Sequence, residues 1–296
     1  VTAWLRRGAA AAGIASERSD LWPAGALASL AYLGWLPLVL AVAPPRVSDV
    51  ADLAVSLYSS GTFPGNVVAL AVAAVGTFML LCLLAAVGEA AVTRALRTAR
   101  LGAADGNGSD AGEAALSGLA VILLACVPVV LACAWLLLGA VDTAPGIYTA
   151  PGPDDAVIPR LAASLMPQLV AVGVALLVAQ AVGGRLLRGA IAASDDRIGS
   201  AVRTGLRDLG GAPWRWLGVA AAGWLKDALF VLGAWALLRA LWGAIADSFG
   251  PGLVERPQAL ALLVGFVTIW LVLLLAGGAL HAFISAWWLL EEGEGR

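Results

Sequence analysis

The sequence predicts an all-α, polytopic integral membrane protein. Three observations carry this. The 296-residue chain is 61% hydrophobic with a mean hydropathy of +0.90. Only 13% of its residues are charged, against about 25% in soluble domains. Its apolar residues gather into six stretches, about 24–43, 66–93, 116–140, 161–186, 214–242 and 258–289. Each is long enough to cross a hydrocarbon core of about 30 Å, which takes roughly 20 apolar residues. Six spans on short connections make a single membrane domain over residues 1–296.

The N-terminal segment comes first. Trp4, Leu5, Ala11, Ala12 and Ala15 share a helical face, so an amphipathic helix is expected ahead of the first span. Arg6, Arg7, Glu17, Arg18 and Asp20 interrupt it, and no cleavable signal peptide is expected without a continuous apolar run. Trp22-Pro23 opens span one. Ala43-Pro-Pro45 closes it. A short surface helix is expected next, N-capped by Ser48 with Val50, Leu53, Ala54 and Leu57 on one face.

Span two continues past its apolar run to Arg94, Arg97 and Arg100. The sequence GAADGNGSDAG follows, and Asp110 with Glu113 forms a capping-box pattern opening span three. Asn107-Gly-Ser109 matches a glycosylation sequon, but it falls on the side where the arginines gather. In spans three and four, Pro128, Pro167, Gln168 and Gln180 break the apolar runs; they are expected as packing features, with a Pro kink of the membrane helix as the alternative.

Residues 195–209 read DDRIGSAVRTGLRDL. Ile198, Val202, Leu206 and Leu209 share one face, and Arg197, Ser200, Arg203, Thr204 and Arg207 the other. Such a helix is expected to lie in the membrane interface. Gly210-Gly211-Ala-Pro213 breaks it before span five. This elbow (surface helix, break, spanning helix) has a weaker counterpart at the N-terminus. The ends AAVGEAAVTRAL, AQAVGGRLLRGAI and AGGALHAFISAWWLL also match in style. A threefold hairpin repeat is therefore expected.

The layout, with its Arg-rich segment RTGLRDLGGAPWRWLG before a span, resembles a group of bacterial and archaeal six-span membrane proteins of uncharacterised function. That group includes the membrane domain attached to some glycerophosphoryl diester phosphodiesterases. The resemblance implies the membrane part alone, with no catalytic residues.

With the N-terminus inside, thirteen arginines fall on inside segments and four (Arg46, Arg160, Arg239, Arg256) outside. The positive-inside rule then places both termini in the cytoplasm. Seventeen of the eighteen basic residues are Arg, which with heavy Ala and Gly use suggests a GC-rich bacterial genome and a bacterial cytoplasmic membrane. A net charge of −2 gives no footing for nucleic acid. Cys82, Cys126 and Cys133 all fall in apolar spans, as packing residues, and no spacing points to a metal or cofactor.

The chemistry-bearing candidates lie inside the spans. Lys226 and Asp227 stand about 16 Å beyond Arg215 on a helix, near the bilayer midplane. A charge there costs about 2.5–3.5 kcal/mol. Adjacent helical residues point about 100° apart, so Asp227 is expected to find its partner on another span. His281, about 15 Å in from Glu291, is placed at matching depth. Lys226, Asp227 and His281 are expected to form either a register-fixing polar clasp or a site for an ion, proton or headgroup. Glu89 and Gln180 are expected nearer the surface. Arg188, Arg197, Arg203 and Arg207 are candidate anionic-lipid contacts. Trp22, Trp214, Trp216, Trp242, Trp287 and Trp288 are expected to form an aromatic belt.

No nucleotide-binding loop, nucleophile motif or paired-carboxylate arrangement occurs in the sequence. The expectation is a non-enzymatic scaffold or partner subunit whose Arg-lined elbows contact membrane lipids or another membrane protein. The alternative is a small transporter with its site at Lys226, Asp227 and His281. An energised pump would need an ATPase subunit.

Overall fold

The computed structural model describes residues 2–44, 52, 55–57, 59, 61–101, 111–149, 157–192, 197–211, 213–246 and 257–292. Among these, all regular structure is helical. The helices are α1 (Thr2–Glu17), α2 (Trp22–Ser29), α3 (Leu36–Val42), α4 (Gly65–Leu101), α5 (Ala111–Thr149), α6 (Val157–Ser164), α7 (Met166–Ala192), α8 (Arg197–Gly211), α9 (Pro213–Ile245) and α10 (Pro257–Glu292). Ser48, Val50, Leu53 and Ala54 of the expected surface helix lie outside the described residues, as do Asp110 and the sequon.

Among the described residues, five helices are long and apolar enough to cross a membrane: α4, α5, α7, α9 and α10. The first expected span, 24–43, is not one straight helix. A 3-10 turn, Ser19–Leu21, leads into α2, a π-helical turn spans Leu30–Gly34, and α3 departs at 50°. Pro37 explains the break. It has no N–H to give the Leu33 carbonyl, and its ring crowds that carbonyl. The indole Nε1 of Trp270 on α10 donates to Gly34 O at 3.3 Å, so a neighbouring helix serves a backbone group at the break. At the far end of α3, Arg239 Nη1 donates to Ala41 O at 2.9 Å, which suits a cation at a helix C-terminus.

Pro128 does not interrupt its helix, since α5 runs through it. Pro167 falls in the first turn of α7, after the break at Leu165 that separates α7 from α6. There Pro is tolerated because first-turn N–H groups have no helical partner.

The chain divides into two compact units, Val1–Leu119 with Leu225–Glu294, and Ala120–Trp224. In the first, α2 packs against both α4 and α10, and glycine permits the approach. A Cβ on Gly25 would collide with the carbonyl of Gly278, and one on Gly278 with that of Trp22. A Cβ on Gly88 of α4 would fall 2.8 Å from Ala28 N. Where lipid tails are as apolar as Leu, such close packing is what holds helices together.

Helix α1 packs along α10. Ala11 and Ala15 are buried, while Leu5 and Ala12 are exposed, so only part of the expected apolar face is used. Arg7 Nε meets Glu291 Oε1 at 2.6 Å, and the Trp4 ring packs tilted against Trp287 with ring centroids 4.4 Å apart. Trp287 and Trp288 are buried, so they pack within the protein instead of joining an aromatic belt. In the second unit, Trp216 is also buried, with the Arg185 guanidinium 5.5 Å from its ring centroid, a cation–π distance. Trp214 is exposed, as a belt residue would be. Gly183 packs on Ala125 and Gly205 on Leu186.

Glycine position should govern stability. Gly278→Ala is expected to cost about 1–3 kcal/mol by overpacking, read by detergent-denaturant unfolding. Gly265→Ala in the same helix, with nothing within 4 Å, should be neutral or stabilising. Equal effects would overturn the assignment of the close contact.

Candidate functional site

The buried polar groups of the first unit converge where α2, its π-turn, α4 and α10 meet. Glu89 on α4 and His281 on α10 are 4% and 7% exposed. The His281 Nε2 lies 3.2 Å from Glu89 Oε1, within ion-pair distance but not aligned as a hydrogen bond. The hydroxyl of Tyr32, on the π-turn, donates to the same oxygen at 3.4 Å. The Tyr32 ring lies 6.0 Å from the imidazole, centroid to centroid. Thr93 and Ser285, one turn further along α4 and α10, are fully buried.

Local sequence explains why these groups meet. Gly277-Gly278 lets α10 lie against α2, and Gly88 lets α4 do the same, so the residues beside those glycines face a common interior. The π-turn widens the helix where Tyr32 leaves it, and such turns are frequent at functional sites. By helical rise, Glu89 lies about 12 Å from Arg97, and His281 about 16 Å from Glu292. Arg97 Nη2 and Glu292 Oε2 themselves pair at 2.9 Å. The site therefore sits well inside the bundle, with a charged collar at one end.

The expected trio does not assemble. Lys226 Nζ pairs with its own neighbour, Asp227 Oδ1, at 2.5 Å, the two side chains being 13% and 27% exposed. The long Lys stem spans the angle between adjacent helical positions, so no second helix is needed. Phe230 sits 3.0 Å from where a Gly277 Cβ would be, and the Trp242 ring packs tilted against Phe266, centroids 5.3 Å apart. The two helices thus run antiparallel, with Asp227 and His281 each about one turn from the Phe230–Gly277 contact. Among the described residues, however, His281 contacts Glu89 and Tyr32, not Asp227.

The arginine candidates divide. Arg203 and Arg207 are exposed on α8. Arg188 is 3% exposed and its Nη1 donates to Gly184 O within α7, at 2.9 Å. Arg197 opens α8, but its side chain lies outside the described residues. In the second unit, a cavity of about 120 Å³ is lined by Val121, Leu124, Pro128, Val178, Val182 and Leu186 among others. These groups are apolar and cannot orient a polar ligand. Among the described residues, no group of three or more His, Cys, Asp or Glu side chains is placed to hold a metal ion.

Breaking the Glu89–His281 pair on one side leaves a buried polar group uncompensated. Glu89→Leu is expected to destabilise by about 3–5 kcal/mol, and Glu89→Leu with His281→Leu by much less. A double-mutant cycle on unfolding in detergent reads this, and additive losses would show that the pair does not interact.

In comparisons with known proteins, no protein-family model, curated protein or solved structure matches this chain.

Proposed function

We propose that this chain is a six-span, non-enzymatic protein of a bacterial cytoplasmic membrane, with both termini inside. It acts as a scaffold or partner subunit that presents helix α8 to anionic lipid or to another membrane protein. The carrying observation is the exposed pair Arg203 and Arg207, one turn apart on α8 with exposed Leu206 beside them. A helix with Arg and an apolar residue on its open side suits the headgroup boundary. Gly211 ends α8 and Pro213 starts α9, which supports the elbow. Counting the bent α2–α3 pair as one span brings the number to six, and an even number fits two termini on one side. The separate helices α1 and α8 supply two of the three elbows of the proposed repeat.

A second reading, transport, is favoured by the broken first span beside a buried ionisable pair. Broken helices build midplane sites in transporters, and ionisable groups at that depth are functional candidates. The site then centres on Glu89, His281 and Tyr32, with Lys226–Asp227 as a separate pair. An ATPase subunit is the partner such a system would take if it is energised.

Removing both exposed arginines should weaken anionic-lipid binding by about 2 kcal/mol, roughly thirtyfold, at about 1 kcal/mol each. Native mass spectrometry of gently extracted Arg203→Gln/Arg207→Gln protein checks this, and lipid adducts equal to those of the unsubstituted chain would sink the reading. A cysteine introduced at Asp105 should label only from the cytoplasmic side, and labelling from outside would invert the topology.

A further inference from the structure

We propose that Glu89 and His281 form a buried proton-binding site, reached by a polar column between α4 and α10 from the Arg97–Glu292 end of the bundle. The proposal rests on the chain spanning a membrane. It is independent of lipid contact by α8.

Spacing supplies the first argument. Glu89, Thr93 and Arg97 recur every four residues, so they share one face of α4. On α10, His281 and Ser285 have the same spacing, and Glu292 follows about two turns later. The two helices meet at both ends of this run, through Glu89–His281 at 3.2 Å and Arg97–Glu292 at 2.9 Å. Thr93 and Ser285 fall between those levels, each 0% exposed.

Thr93 supplies the second argument. A threonine buried in a helix usually satisfies its hydroxyl on the carbonyl four residues back. In this chain the exposed Thr98 and Thr268 do so at 3.1 and 2.8 Å, and the part-buried Thr143 at 2.6 Å. Thr93 Oγ1 is buried and has no such bond, nor any other hydrogen bond among the described residues. A buried hydroxyl left unsatisfied costs about 1–3 kcal/mol. Here it stands between a carboxyl–imidazole pair and a charged collar, where a hydroxyl can relay protons along hydrogen-bonded water.

The chemistry balances as proton transfer alone. A carboxylate and a neutral imidazole hold one proton between them with no net charge, as carboxylate–imidazolium or as carboxylic acid–imidazole. A proton entering along the column binds the open position and makes the site cationic, and its departure restores neutrality. No bond between heavy atoms forms or breaks. Among the described residues, the other ionisable groups near the site have partners of their own. On α9, one turn from Phe230, Lys226 pairs with Asp227. At the collar, Arg7 pairs with Glu291 and Arg97 with Glu292. On the π-turn of the first span, Tyr32 offers its hydroxyl.

The chain holds one histidine, so imidazole-labelled protein gives a single side-chain spectrum. The full chain is reconstituted in bilayers, and exchange of the His281 ring N–H with water is timed by magnetic resonance. Exchange is expected to be fast in the unsubstituted chain, at least tenfold slower in Thr93→Val, and restored in Thr93→Ser. Thr93→Val keeps the shape and deletes a hydroxyl that makes no bond, so the bundle should still fold. Three results would each overturn the proposal: a ring N–H as protected as the α10 backbone amides, Thr93→Val exchanging at the original rate, or Thr93→Ser as slow as Thr93→Val.

Discussion

The first unit depends on one constraint, the approach of helix α2 to two neighbours at backbone distance. Gly25 and Gly278 leave no room for a Cβ between α2 and α10, and Gly88 closes α4 onto Ala24 and Ala28. In hydrocarbon there is no hydrophobic gain from bringing apolar side chains together, so dispersion between closely packed surfaces and a few polar contacts hold the helices. The glycines make that surface. They also fix what lies beside them: Tyr32 on the turn after α2, Glu89 next to Gly88, and His281 one turn past Gly277.

The polar groups follow from the same absence of water. Glu291 and Glu292 end α10, where the negative pole of the helix disfavours them. Arg7 from α1 and Arg97 from α4 offset both. The break before Pro37 is served by the Trp270 indole. Arg239 satisfies a terminal carbonyl of α3. Glu89 and His281 are the costly members of this set, since a buried pair tends to lower stability relative to an apolar substitute.

Much of the architecture was legible in the sequence. Five apolar runs became helices able to span a membrane, and the 195–209 pattern became α8, because period and length are local properties. The break at Pro37 in the first span was not among the expectations, whereas Pro128 and Pro167 looked disruptive by composition. The difference lies in what surrounds each, one inside a continuous helix and one in a first turn. Trp287 and Trp288 are placed by sequence at a membrane boundary, but α1 folds over Trp287 through Trp4 and Gly8.

What the sequence by itself determined is the solvent the chain is built for and the helices it forms there. Apolar run length, charge scarcity and arginine placement act residue by residue. Only the tertiary structure decided the partners of the ionisable groups. Lys226 and Asp227, adjacent in sequence, close on each other because a flexible four-carbon stem can turn back. Glu89 and His281, 192 positions apart in the numbering, meet because glycines on three helices let the backbones approach. Period and depth can place two groups at one level of a bilayer. Which helices touch at that level depends on packing between distant segments, and no local pattern carries that information.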